Sequence, residues 1–294
     1  MARDPSRSRR TIAWLVAPGL AVLVFSLVVP LGFSVYYSLT DSAGFGDYQR
    51  VGLDNYKAIL TDDPVFWRAL RNVLILIAMT IFVQNPVAFA LAAVLSRLSA
   101  RASRLLRTAY FVPAVLSLVI VAKLWVDVFN PTFGILNKVL RLVGLDAIAV
   151  SWLSDPHTAL AAVIWIILWQ GFGWALLFYY AALMTVPRDL EEAARVDGAT
   201  GWQAYRHVVI PHLAPVIATV IIIDVISSMK QMELIYLSTE GGPGDLTQFL
   251  GVYLYQKAFV AGEYGYGSAL SVLFVVISAG LTFAVQRGMR VIAR

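Results

Sequence analysis

Apolar residues along this 294-residue chain fall in long blocks rather than in short periodic stretches. A helix needs about 20 mostly apolar residues to cross the hydrocarbon core of a bilayer, and its backbone groups must be satisfied within the segment. Six stretches meet that requirement, at roughly 11–38, 69–95, 108–129, 158–183, 212–237 and 268–288. The pattern predicts an all-α integral membrane protein with six transmembrane helices in a single transmembrane domain spanning 1–294. Between the blocks lie loops rich in Gly, Pro, Asp and Asn, as at 41–64 and 130–156, and no internal repeat stands out. The first block, preceded by Arg3, Arg7, Arg9 and Arg10, also has the outline of a secretory signal. Its apolar run over 12–39 exceeds a signal core and no small-residue cleavage site follows, so it is read as an uncleaved span.

Composition agrees with this class, since 59% of residues are hydrophobic and only 14% charged, outside the range of an ordinary soluble domain. A net charge of +5 could suggest nucleic acid, but the basic residues gather at block ends and not on a soluble face with stacking aromatics, so no nucleic-acid partner is expected. Cysteine is absent, which excludes disulfides, zinc thiolates and thiol catalysis. Positive charge is retained on cytoplasmic loops. The amino end, the 96–107 loop (Arg97, Arg101, Arg104, Arg107), the 184–211 loop (Arg188, Arg195, Arg206) and the carboxyl end (Arg287, Arg290, Arg294) form one basic side. The opposite loops carry the acidic group, among them Asp41, Asp47, Asp62, Asp63, Asp146 and Asp155. Both termini are therefore expected in the cytoplasm, in agreement with an even number of spans.

The segment 186–211 between the fourth and fifth blocks reads as two short helices. Pro187 suits a first helical turn, Asp189, Glu191 and Glu192 oppose the positive end of the dipole, and Gly198 supplies a stop. Thr200 with Gln203 three residues on forms a capping box for a second helix, which Pro211 is expected to end. Within this segment, Glu192-Ala193-Ala194, Asp197-Gly198-Ala199 and the ending Val208-Val209-Ile210-Pro211 resemble the EAA motif of ABC importer permeases. That motif is a Glu-Ala-Ala with a Gly four residues later and an Ile-x-Leu-Pro ending, from which Val208 and Ile210 depart only as apolar substitutes. The resemblance covers most of the chain and points to the maltose-transporter type, through Pro18 and Pro30, Val51-Gly52-Leu53-Asp54-Asn55-Tyr56, the 107–113 stretch and Gly241-Gly242-Pro243.

The resemblance implies a type I ABC importer permease fold in a bacterial inner (plasma) membrane. It implies four partners: a second homologous permease, an ATPase subunit dimer, an extracytoplasmic solute-binding protein, and a di- or oligosaccharide as solute. It further implies that the helix pair is the ATPase-coupling element, carried by Glu192, Ala193, Ala194, Asp197 and Gly198. Small Ala193 and Ala194 allow close approach, Glu192 can pair with a cation on the ATPase, and Gly198 permits the bend. No Gly-x-x-x-x-Gly-Lys-Ser/Thr occurs in the chain, so no cofactor is expected here, and ATP and Mg are bound by the partner.

Polar residues inside spans require a partner or a wet cavity. Asp224, Ser227, Ser228 and Gln231 fall at i, i+3, i+4 and i+7 of the fifth block, one helical face. The fourth block carries Trp169-Gln170-Gly171-Phe172-Gly173-Trp174, where indoles can cover the C–H faces of a sugar while an amide and a carboxylate engage its hydroxyls. Maltose-type permeases line the solute site with the spans flanking the coupling loop, which makes Gln170, Trp174, Asp224, Ser227, Ser228 and Gln231 the candidate substrate-binding residues. The competing reading is that these groups hold helices together. Lys123 and Asp127 read as a local pair, and Gln84-Asn85-Pro86 as a kinked, hydrogen-bonded helix contact, the alternative being that they line the cavity. His157, His207 and His212 are too dispersed for a metal centre, and no catalytic set such as His-Glu-x-x-His or Gly-x-Ser-x-Gly occurs. A secondary transporter would call for inverted repeats. The expected function is a sugar-translocating permease that is not itself an enzyme, the alternative being an ABC permease for a sugar phosphate or another small polar solute.

Overall fold

The structure, a computed structural model, describes residues 5–292, with the side chains of 14–187 and 189–289. Of the arginines used for orientation, Arg3 and Arg294 lie outside the described residues, as do the side chains of Arg7, Arg9, Arg10, Arg188 and Arg290. Among the described residues, five helices are long and apolar enough to cross a membrane: Trp14–Tyr37, Pro64–Arg97, Ala159–Leu183, Gly201–Met229 and Tyr264–Met289. Ala100–Val115 and Leu118–Val128, which meet at 97°, pass the same test as a pair and bring the number to six when the bent pair is taken as one span. In chain order these are spans 1 to 6, the bent pair being span 3.

Three boundaries differ from the hydropathy expectation, each for a physical reason. Span 3 begins at Ala100, not near 108, because Ser99 caps a polar first turn by accepting from the amide of Ala102. It then breaks at Leu116 and Ser117, both extended, one turn after Pro113 has withdrawn a backbone donor. Span 5 does not stop at Pro211. The second loop helix, Gly201–Ala204, runs through a π turn at Tyr205–Val209 into Ile210–Met229. Pro at the start of a new helical segment lacks only a donor whose loss the wider turn absorbs. The helix then ends at Met229, and a separate helix, Glu233–Thr239, follows. Gln231 therefore lies past the helix end and not two turns further along the face of Asp224.

The described chain divides into two compact units. One takes in the chain up to Asp63 together with Leu254–Val276. Here the end of span 1 is pinned by the following segment: Asn55 Nδ2 donates to the carbonyls of Ser38 and Thr40, at 2.9 and 2.8 Å, and the Tyr56 hydroxyl reaches Ser38 Oγ at 2.7 Å. The Tyr266 hydroxyl donates to Asp63 Oδ2 at 2.6 Å. Residues 14–33 of span 1 are exposed throughout, as suits an apolar helix whose solvent is lipid or another subunit.

The other unit takes in Pro64–Tyr253 and the described chain from Ile277. Its core packs span 2 on span 4 through Ala88, Ala92, Ala175 and Ala182, with Leu95, Leu176, Tyr179 and Leu213 filling the seam. Small residues let membrane helices approach closely where no hydrophobic force separates protein from lipid. Gly173 is the tightest such place between spans 3 and 4, since a Cβ there would stand 2.5 Å from the carbonyl oxygen of Tyr110. Beyond the helices, Asn72 Nδ2 fastens the 239–250 segment by donating to the carbonyls of Leu246 and Gln248 at 2.8 and 2.9 Å.

Candidate functional site

The loop between spans 4 and 5 folds as a capped helix pair. Its first helix, Arg188–Val196, carries Asp189 and Glu191 in the first turn and Arg195 in the last, which suits the macrodipole at both ends. It closes in a Schellman turn: the amide of Ala199 donates to the carbonyl of Ala194 at 2.9 Å and that of Gly198 to Arg195 at 3.0 Å. Gly198 sits at φ +83°, a conformation that a side chain resists. Thr200 and Gln203 form the reciprocal capping box, at 3.3 and 2.7 Å. Glu191 faces Arg195 at 3.8 Å, whereas Glu192 makes no ion pair among the described residues. Glu192, Ala193, Asp197 and Gly198 are exposed and Ala194 is half-buried, beside the exposed Val196 and Trp202. An acidic side chain, small residues and two unshielded apolar groups thus stand exposed on one helix pair.

Inside the membrane-spanning part, spans 2, 4 and 5, with Leu118 of span 3, line an open cavity of about 590 Å³. All six candidate solute residues, Gln170, Trp174, Asp224, Ser227, Ser228 and Gln231, line it. Gln231 reaches the cavity from beyond the helix end. The wall also includes Thr80, Phe178 and Glu233, which the sequence reading did not single out, together with Lys230 and with Gln84, which that reading placed first in a helix contact. Gln84 carried a usable signal, being a polar residue in the middle of an apolar block.

The polar groups of this region fall into two sets. Asn85 is fully engaged: its Nδ2 donates to Asp224 Oδ2 at 2.8 Å and to the carbonyl of Thr80 at 3.0 Å, and its Oδ1 accepts from the Tyr179 hydroxyl at 2.6 Å. This chain ties spans 2, 4 and 5 together, so Asp224 spends one oxygen on helix contact. In contrast, the side chains of Gln84, Gln170, Ser227, Ser228 and Gln231 make no hydrogen bond among the described residues. Groups that serve only to hold helices together would be paired with one another. Trp174 is half-exposed and meets Phe111 edge to face at 5.2 Å. Trp169 lines a separate apolar cavity of about 760 Å³ and packs against Trp125. Lys123 and Asp127 form a local pair at 3.0 Å, and no group of metal-binding side chains is found among the described residues.

Residues 84–294 match the model of the family described as binding-protein-dependent transport system inner membrane component. The chain belongs to that family. Its relatives include the lactose transport system permease protein LacF of Rhizobium radiobacter, 33% identical, with 92% of this chain and 91% of that one covered. The diacetylchitobiose uptake system permease protein NgcF of Streptomyces coelicolor is 30% identical over 94% of this permease and 82% of its own length. In fold, the permease matches a chain of a bacterial ABC transporter involved in import of the acidic polysaccharide alginate. That match has a TM-score of 0.83 at 23% identity and covers 99% of this chain and 100% of the other. The permease is thus a multi-pass membrane protein with the architecture of ABC importer permeases.

Proposed function

We propose that this permease forms, in one transmembrane domain with both termini cytoplasmic, part of the path by which an ATP-driven importer carries a neutral sugar into the cell. The single observation that carries the reading is the cavity between spans 2, 4 and 5, whose glutamine amides and serine hydroxyls have no hydrogen-bond partner among the described residues. Such groups are matched by the hydroxyls of a sugar, and the half-exposed indole of Trp174 can cover an apolar sugar face. Relatives that handle lactose, starch degradation products and diacetylchitobiose support the solute class. Among the described residues, the cavity wall carries Asp224 and Glu233 against a single Lys230 and no arginine. A sugar phosphate calls for guanidinium or clustered ammonium groups, so the neutral solute is favoured over the anionic one.

In this reading the helix pair at 188–204 is the ATPase-coupling element. The partner ATPase dimer binds ATP and Mg, and Glu192 supplies a charge for a cation in its cleft. Ala193 and Ala194 allow close seating, and Asp197 with Gly198 forms the turn that transmits movement into span 5, with which the second helix is continuous. A second permease completes the cavity, and a solute-binding protein delivers sugar from the opposite side. The test is uptake of labelled sugar by the assembled transporter carrying Gln231→Ala. Because the Gln231 side chain makes no hydrogen bond among the described residues, assembly and basal ATPase activity should stay at wild-type levels while uptake falls. Unchanged uptake would remove this cavity from the solute path.

A further inference from the structure

Gln84 is buried to within 7% of full enclosure, yet its amide has no hydrogen-bond partner among the described residues. Its neighbour Asn85 has the same chemistry and is saturated, with both amide atoms engaged. Two adjacent amides have therefore divided their duties, one holding helices and the other left unspent.

The backbone explains how Gln84 comes to face the cavity. It ends a π turn at Thr80–Gln84, in which the amide of Asn85 donates to the carbonyl of Thr80 five residues back. The extra residue in that turn rotates the positions after it relative to a regular helix, and π turns of this kind often mark functional sites. Across the seam stands Gly171 of span 4, where a Cβ would lie 3.5 Å from Gln84 Nε2. A larger side chain there would occupy the space through which the amide is presented. Gln84 borders two cavities. The apolar one, walled by Trp169, Phe172 and Tyr110, offers little to an amide, so a polar partner must come from the side of Gln170, Ser228 and Asp224.

We propose that Gln84 is a specificity-determining solute contact, a fixed neutral amide that reads a sugar hydroxyl through the gap left by Gly171. This rests on the cavity being the solute path, as argued above. A neutral amide donates and accepts at once, as a hydroxyl does, and so favours a hydroxyl over the hydrogen of a deoxy analogue. Discrimination against such analogues is expected because a buried polar group would otherwise be left unpaired.

The test uses the complete transporter in proteoliposomes, offered labelled mono-, di- and oligosaccharides to find those the wild type takes up, and then singly deoxygenated analogues of one of them. Gln84→Leu should raise the sugar concentration for half-maximal uptake about three- to tenfold. It should also erase the preference for the parent sugar over one deoxy analogue, with thermal stability and subunit yield unchanged. Gly171→Val, which displaces the amide without altering it, should give the same loss of preference, and Gly171→Ala should not. Retained discrimination in Gln84→Leu, alongside a normal defect in Gln231→Ala, would overturn the role of Gln84 and leave the solute path intact. Loss of assembly in Gln84→Leu would make it a structural group and equally overturn the proposal. Absence of sugar uptake by the wild type would remove the sugar reading itself, and this inference with it.

Discussion

Replacing Asn85 with leucine removes the link among spans 2, 4 and 5 while keeping the number of heavy atoms and the branch at Cγ. Asn85 is 4% exposed and makes two interhelical hydrogen bonds, to Asp224 at 2.8 Å and from Tyr179 at 2.6 Å. Interhelical hydrogen bonds in membranes average about 0.6 kcal/mol and reach about 1.7, so their joint loss should cost about 1–3 kcal/mol. Tyr179→Phe removes one of the two and leaves Asn85 Oδ1 without its donor, for about 1 kcal/mol. The two changes share a bond, so the double variant should lose less than the sum of the single losses. Denaturant titration of the purified permease, followed by helical circular dichroism, measures all three. Additive effects, or an Asn85→Leu variant within about 0.3 kcal/mol of wild type, would refute the link. A further contrast comes from the neighbouring position: Gln84→Leu breaks no bond and should leave this stability unchanged.

Gly173→Val would press a branched side chain onto the Tyr110 carbonyl and the Phe111 backbone, 2.5 and 2.9 Å from the Cβ position. Size-exclusion chromatography should show a collapse in folded yield, which Gly171→Ala, 3.5 Å from its nearest neighbour, should not produce. Gly198→Val forces a β-branched residue to φ +83°, a cost of about 1–2 kcal/mol; it should reduce co-purification of the ATPase, as should charge reversal in Glu192→Lys. Single cysteines at the exposed Asp47, Asp146 and Ala100 should report orientation in intact cells, an impermeant thiol reagent labelling the first two and sparing the third.

The spans were legible because burial in lipid demands long apolar runs, and nothing else in a chain of this length produces six of them. The capped loop was legible residue by residue: Gly198 stops the first helix and Thr200 with Gln203 starts the second. Hydropathy could not register the interruptions. The break after Met229 has no Gly or Pro near it, so span 5 read as one helix to 237, and the π turn before Pro211 lets a proline sit inside a continuous helix. The polar residues of spans 4 and 5 that line the cavity stood out because each breaks an apolar stretch. Gln84 was grouped with Asn85 as a helix contact, since adjacent amides look alike in sequence. Only their partners separate them, and partners are a property of three spans packed together.

The most direct test is sugar accumulation in proteoliposomes containing this permease with the second permease, ATPase and binding protein proposed for it. The account predicts that labelled sugar accumulates inside only when ATP is supplied on the side of the Arg188–Val196 helix and the binding protein on the other. Accumulation without ATP, or sugar uptake by this chain alone along an ion gradient, would contradict it.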